Sequence, residues 1–273
     1  MRFGEDKSMT SFSFKPNTTR YEPQNALWLG QSARLVYSDS KTIQAETATW
    51  GFSKFRFFDK EGTQAFAIAN DELAIVALRG SEEVIDWVTN AKFNLVDGMG
   101  GKVHQGFNQA LTLVYADIRQ TITEFQDKGQ SLWFTGHSLG GALATLAVAK
   151  LRYEEDKPVY GLYTYGQPRS GDRNFERIFN ADFKSRTFRF VNHNDIVSRI
   201  PPRSLSYSHV GTFLYFDEQG NIHSDAAWWY RFLDLVKVDI NDLQKTVNDP
   251  IEDHEMDRYL KNLQKNINVY PRI

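Results

Sequence analysis

The chain has 273 residues, 41% of them apolar, a formal charge of −2 and no cysteine. That composition excludes a disordered chain, a disulfide scaffold and thiol or thiolate-metal chemistry. Acids and bases are mixed without a basic block, so nucleic acid is not an expected partner, and no run reaches the ~18 apolar residues of a transmembrane helix.

One α/β domain over 1–273 is expected. Residues 1–25 are rich in Ser, Thr, Asn and Pro and read as an extension wrapping the surface. Met1 to Phe14 is polar and lacks an apolar core run, which argues against a signal peptide. A cytoplasmic location, or a mature or non-classically secreted form, is therefore expected, with Met9 as an alternative start. Gln31 to Tyr37 reads as the start of a helix, and Thr49 to Asp59 as a strand. Gln64 to Asn70 and Glu72 to Leu78 read as a hairpin around Asn70-Asp71. Its second arm is apolar throughout, as a strand buried on both faces must be.

After Arg79-Gly80-Ser81, the segment Glu82 to Asn94 reads as a short amphipathic helix, with Val84, Ile85, Trp87 and Val88 sharing a face. A glycine cluster follows at Gly98, Gly100 and Gly101. Gln105 to Lys128 is a long amphipathic helix with Phe107, Leu111, Val114, Ile118, Ile122 and Phe125 in register. Then come a strand at Ser131 to Thr135, an Ala/Leu-rich helix at Gly140 to Tyr153, a strand at Val159 to Tyr165, a helix at Asn174 to Asn180 and a strand at Arg186 to Val191. His209 to Phe216 reads as a strand, Asp225 to Leu243 as a helix, and Glu252 to Ile267 as an acidic start that becomes helical. Strands alternating with helices predict a mostly parallel sheet covered on both faces.

The chemistry concentrates in Gly136-His137-Ser138-Leu139-Gly140. Gly-x-Ser-x-Gly arises by chance in roughly one chain in ten of this length, so its context decides. Here an apolar strand runs directly into it and a helix directly out, the setting of a nucleophile elbow. A serine on that strained turn projects above the sheet, with helix N-terminal N–H groups beside the developing oxyanion. Such a serine needs a base, and the base an orienting acid. Asp195, at the end of the strand Phe188 to Val191, is the acid candidate, with Asp172 and Asp182 as alternatives. For the base, His254 sits in a loop entering a helix, His209 opens a strand, and His223 lies in a polar turn.

Several stretches taken together resemble the class 3 lipase family, the fungal-lipase-like triacylglycerol lipases with the α/β-hydrolase fold. They are Leu78-Arg79-Gly80-Ser81, Val103-His104-Gln105-Gly106-Phe107, the elbow with Gly141, Tyr165-Gly166-Gln167-Pro168-Arg169, Val191 to Val197 with Ile200-Pro201-Pro202, and Asp253-His254 with Tyr259. They keep the family's order over roughly residues 65 to 265. The resemblance implies Ser138 as nucleophile, Asp195 as acid, His254 as base, and Ser81 and Leu139 as oxyanion-hole residues. It places His209 at a supporting position and makes about 82–96 a lid with Trp87 at its tryptophan position. It implies a lipid or other ester substrate, transient contact with a lipid interface, and no metal or organic cofactor. Triacylglycerol, phospholipid sn-1 and soluble aryl or feruloyl esters all fall within the family, as do non-catalytic binding relatives. A metal site from Asp253, His254 and Asp257 matches no ligand spacing. Absence of cysteine, with the expected lack of a signal peptide, would set the chain apart from the secreted fungal members.

Overall fold

The computed structural model describes residues 11–81, 92–224 and 252–273. Twelve strands occur there: β1 (Lys54–Lys60), β2 (Thr63–Ala69), β3 (Leu73–Leu78), β4 (Leu95–Gly98), β5 (Gly101–His104), β6 (Ser131–His137), β7 (Gly161–Tyr165), β8 (Gly171–Asp172), β9 (Thr187–Asn192), β10 (Tyr207–Ser208), β11 (Thr212–Phe216) and β12 (Ile222–His223). The α-helices are α1 (Pro23–Leu35), α2 (Ser40–Thr49), α3 (Gln105–Phe125), α4 (Leu139–Glu155), α5 (Arg173–Phe183) and α6 (Met256–Lys265). An eight-stranded sheet runs β1-β2-β3-β6-β7-β9-β11-β12. Its β3, β6, β7, β9 and β11 are parallel, and the flanking strands are antiparallel. This is the mostly parallel, doubly covered sheet expected from the alternation of strands and helices, and it agrees with the α/β-hydrolase fold that the family resemblance implies.

Side-chain alternation divides the core. Ala74, Val76 and Leu78 of β3 face the helix layer of α3, α4 and α5, while Leu73, Ile75 and Ala77 face the layer of α1 and α6. A strand covered on both sides must find a buried partner for every polar side chain it carries, as Thr135 of β6 does in Leu29 O at 3.0 Å, and β3 avoids the need by being apolar throughout. The α3 stripe of Phe107, Leu111, Val114, Ile118, Ile122 and Phe125 is buried, each such side chain contributing about 1.5–3 kcal/mol of transfer free energy. α4 is packed more tightly, and Ala142, Ala144, Ala147 and Ala149 let it lie close on the sheet. On the opposite face Phe12 packs on Trp28 and Phe52, with ring centroids 4.9 and 5.1 Å away, and Phe14 meets Trp133 edge-on at 5.0 Å.

Several local expectations need correction. The first helix starts at Pro23, not Gln31, because proline fits the first helical position, where no N–H is needed. Thr49 ends α2, so the strand expected from Thr49 begins at Lys54. The cap was readable: Asp39 accepts from the N–H groups of Lys41 and Thr42 at 3.0 and 3.1 Å. His209 to Gly211 precede the strand assigned to them. The glycine cluster is a tight hairpin in which Gly98 pairs with Gly101 and both Met99 and Gly100 have positive φ. That hairpin belongs to a small second sheet, β10-β8-β5-β4, whose strands are too short for a sequence pattern. Lys92–Asn94 are neither helix nor strand and Leu95 already begins β4, so the far end of the expected cover is not helical. Val84, Ile85, Trp87 and Val88, and the helix expected over Asp225 to Leu243, lie outside the described residues.

Candidate active site

β3, β6 and β9 are parallel and end at the same edge of the sheet, and the residues singled out from the sequence gather at that edge. Ser138 is the joint between β6 and α4, with φ 56° and ψ −132°. A non-glycine residue held in such a region costs about 1–3 kcal/mol and persists only where its surroundings fix it. Here its N–H donates to Tyr165 O at 2.9 Å, and its carbonyl accepts from Gly141 N–H at 3.0 Å. The turn is also too close to its neighbours for side chains at its flanking glycines. A Cβ on Gly140 would lie 2.0 Å from Leu78 O, and one on Gly136 2.3 Å from the Gly140 carbonyl. That approach sets the end of β3, where Ser81 is half-buried, beside the elbow. An added Cβ on Gly80 would fall 3.0 Å from Ser138 Cβ. Leu139 is the first residue of α4, where a backbone N–H has no partner within the helix.

Asp195 is fully buried after β9. Its Oδ2 accepts from Tyr259 Oη at 2.6 Å, and its Oδ1 from Val197 N–H at 2.9 Å. His254, 3% exposed, places Nδ1 3.0 and 2.9 Å from the two carboxylate oxygens. Since a carboxylate only accepts, Nδ1 carries a proton and Nε2 of the neutral ring is the free lone pair. Burial pushes the Asp195 carboxyl up, but attraction to His254 once that ring is protonated, with the hydrogen bonds from His254 and Tyr259, outweighs it and holds it below the usual carboxylate range. Ser138 Oγ and His254 Nε2 are both buried without a hydrogen-bond partner among the described residues. Such pairs are often unmade until substrate binds.

The loop carrying His254 is pinned to the end of β9. Asp253 Oδ2 accepts from Asn194 N–H at 3.1 Å and lies 3.0 Å from His193 Nδ1, while Oδ1 accepts from Arg258 Nη1 at 2.9 Å. Asn192 Nδ2 donates to Asp253 O at 3.0 Å, and Asn192 N–H donates to Tyr259 Oη at 2.9 Å.

The alternative acids and bases are occupied elsewhere. Asp172 caps α5, accepting from Phe175 N–H at 2.8 Å. Asp182 pairs with Arg152 at 3.1 Å near the surface. His223 is exposed and pairs with Asp217. His209 is buried with Nε2 2.7 Å from Ser198 O, and Ser198 Oγ donates to Asp195 O at 2.8 Å. Burial, with Arg189 and Arg169 nearby, holds His209 well below its ordinary pKa, so it is neutral and supports the loop that carries Asp195. Asp253, His254 and Asp257 face separate partners, Asp257 pairing with Arg34 at 2.6 Å. Sequence reasoning missed Tyr37 and His137. His137 was in view inside the elbow, but its partners are far away in the chain.

The profile of the lipase (class 3) family matches residues 75–205. A secreted mono- and diacylglycerol lipase of Penicillium cyclopium is 31% identical over 210 residues, covering 74% of this chain and 67% of that protein. The chain belongs to the class 3 lipase family. A secreted mono- and diacylglycerol lipase of Fusarium solani is 37% identical over 150 residues, or 52% of this chain and 44% of that protein, so the match spans less than half of that relative's length. A solved mutant form of the Penicillium cyclopium MDLA superposes with a TM-score of 0.62 at 28% identity, covering 71% of this chain and 78% of that one. A triacylglycerol lipase whose catalytic centre is described as a serine protease triad gives 0.58 at 25% identity, over 70% and 77% of the two chains. These class 3 lipase relatives correct the expectation of a cytoplasmic chain, because several of them are named as secreted. Residues 1–14 were too little to decide location. No helix among the described residues is long and apolar enough to cross a membrane.

Proposed function

We propose that this class 3 lipase hydrolyses glycerol esters of fatty acids by acyl transfer through Ser138, with His254 as general base and Asp195 as its orienting acid. The observation that carries the reading is the pair of buried, unpartnered atoms, Ser138 Oγ and His254 Nε2, on a histidine whose other nitrogen is committed to Asp195. His254 takes the Ser138 proton and Ser138 attacks the ester carbonyl. The tetrahedral oxyanion takes hydrogen bonds from the backbone N–H groups of Leu139 and Ser81. His254 then protonates the departing alkoxide, and water releases the acyl group by the same route in reverse. No step calls for a metal or an organic cofactor.

An acylglycerol substrate is supported by relatives named for mono- and diacylglycerol and for triacylglycerol hydrolysis. The apolar positions Val84, Ile85, Trp87 and Val88 favour a cover that meets the acyl chain or a lipid surface. The test is hydrolysis of p-nitrophenyl esters of increasing chain length, below and above their solubility limits, with Ser138→Ala as control. The expected result is a preference for longer chains, a rise in rate once an interface is present, and loss of activity in Ser138→Ala. A preference for short soluble esters with no rise at the interface would remove the lipase reading and leave an esterase. Parental activity in Ser138→Ala would remove the site.

A further inference from the structure

Beneath the His254 ring lies a second histidine for which the acyl-transfer scheme has no use. His137, adjacent to Ser138, is 5% exposed, and its ring centroid lies 4.4 Å from that of His254 at an interplanar angle of 33°. Its Nε2 is 2.7 Å from the backbone oxygen of His254. Its Nδ1 is 3.0 Å from the hydroxyl of Tyr37, just beyond the C-terminal end of α1.

These contacts determine where the protons are. A carbonyl oxygen only accepts, so Nε2 carries the proton and donates to His254 O. Burial, reinforced by the neighbouring His254, lowers the His137 pKa to about 3, and the ring is neutral. A neutral imidazole has one N–H, so Nδ1 is a lone pair and the Tyr37 hydroxyl must donate to it. The phenolic oxygen then has lone pairs for the strand-end loop. It touches that loop, because a Cβ on Gly80 would fall 2.3 Å from it. The Gly80 N–H faces the same oxygen, and the Arg79 guanidinium lies over the Tyr37 ring, 5.3 Å from its centroid.

We propose that Tyr37 and His137 are positioning residues that tie the Gly80-Ser81 backbone to the backbone of His254, holding the oxyanion side and the base side of the site in one register. The inference rests on the roles given above to Ser138 and His254. Its physical content is the pair of hydrogen bonds on the two ring nitrogens. Without the Tyr37 donor, Nδ1 is buried with no partner and only the His254 carbonyl holds the ring. The ring is then free to turn, and the 2.7 Å bond that fixes the base loop loosens with it. A shift of about 1 Å in a catalytic group lowers turnover about a hundredfold. The hydrogen bonds of the Tyr37 hydroxyl and the His137 ring described above go to the loop, to each other and to a backbone carbonyl, none to a substrate atom, so the loss falls on kcat and leaves KM in place.

The test uses the full chain, a soluble p-nitrophenyl ester, and the variants Tyr37→Phe, His137→Leu, His137→Gln and the double variant Y37F/H137Q, each checked for folding by its melting temperature. Tyr37→Phe is expected to lower kcat about tenfold and His137→Leu about a hundredfold, with KM within about twofold. His137→Gln recovers about tenfold over His137→Leu, because its amide reaches the same carbonyl. The double variant is no slower than His137→Gln alone, since the acceptor of the Tyr37 proton is already gone. Histidine ¹⁵N NMR should show the Nε2–H tautomer of His137 in the parent, and an Nδ1 resonance shifted in Tyr37→Phe by loss of its hydrogen-bond donor. A parental kcat in Tyr37→Phe, multiplying losses in the double variant, or an Nδ1–H tautomer in the parent would each overturn the proposal. Activity surviving in Ser138→Ala would instead overturn the roles of Ser138 and His254. The tautomer measurement needs no turnover and separates the two failures.

Discussion

Replacing Gly166 with alanine puts a methyl carbon between the members of the His254–Asp195 pair. Gly166 has φ +57°, and a Cβ built on it lies 2.6 Å from Asp195 Oδ2, 2.7 Å from His254 Nδ1 and 2.8 Å from His254 Cε1. Ordinary van der Waals contact starts at about 3.4 Å, so one partner or both must retreat by about 0.6–0.8 Å. Asp195 is held from behind by Tyr259 Oη at 2.6 Å and Val197 N–H at 2.9 Å, and the His254 ring rests on His137. Retreat therefore stretches the 2.9 Å bond between them to about 3.5 Å, past useful hydrogen bonding. An L-residue at this φ adds about 1–2 kcal/mol of backbone strain, and the overpacking about 1–3 kcal/mol more. The predicted result is a folded protein, less stable by roughly 2–5 kcal/mol, with kcat lowered about 10²- to 10⁴-fold as His254 loses its tautomer and aim. Gly129→Ala is the control, since Gly129 has φ +74° with nothing within 4 Å of a Cβ, and it should show the backbone strain with parental kcat. Initial rates on a soluble ester and melting temperatures measure both effects. A Gly166→Ala kcat within threefold of the parent would refute the steric argument.

Three further outcomes follow from the same geometry. Tyr259→Phe removes the 2.6 Å donor to Asp195 and leaves Asn192 N–H buried without its acceptor. It should cost about 1–3 kcal/mol in thermal or urea unfolding and move the acidic limb of kcat/KM to higher pH, because a bond that lowers the Asp195 pKa is gone; an unmoved limb counts against that role. Asp253→Ala frees the base loop from Asn194, His193 and Arg258, and should lower kcat about tenfold with little change in KM, as steady-state kinetics can check. Acid stability is set by buried neutral histidines. Burial holds His104 at about 4, and burial with the His254 neighbour holds His137 at about 3, against an ordinary 6.5. Below pH 6.5 the unfolded chain therefore binds more protons than the folded one. Stability is complete above that pH and falls toward pH 4 by up to about 1.4 kcal/mol per unit for each group. A melting temperature flat from pH 7 to 5 would contradict this.

The parts whose cause is local can be read along the chain. An apolar run long enough for one buried strand, a stripe at helical spacing and glycines flanking a serine each follow from geometry within a few residues, so β3, α3 and the elbow could be read directly. The strand leading to Asp195 was legible for the same reason. The tertiary structure decided what depends on segments meeting. Asp172 and Asp195 both follow a strand of the large sheet; one caps α5 and the other faces His254 only because β9 lies beside β7. His209 and His254 both lie near element starts, and only packing gives one a backbone carbonyl and the other a carboxylate. The short strands β4, β5, β8 and β10 exist because they pair with one another, not because of their residues. Tyr37 and His137 are 100 positions apart and meet across the layer between α1 and β6. Hydrogen bonds of that range leave no periodicity in a chain, since the fold alone sets their spacing.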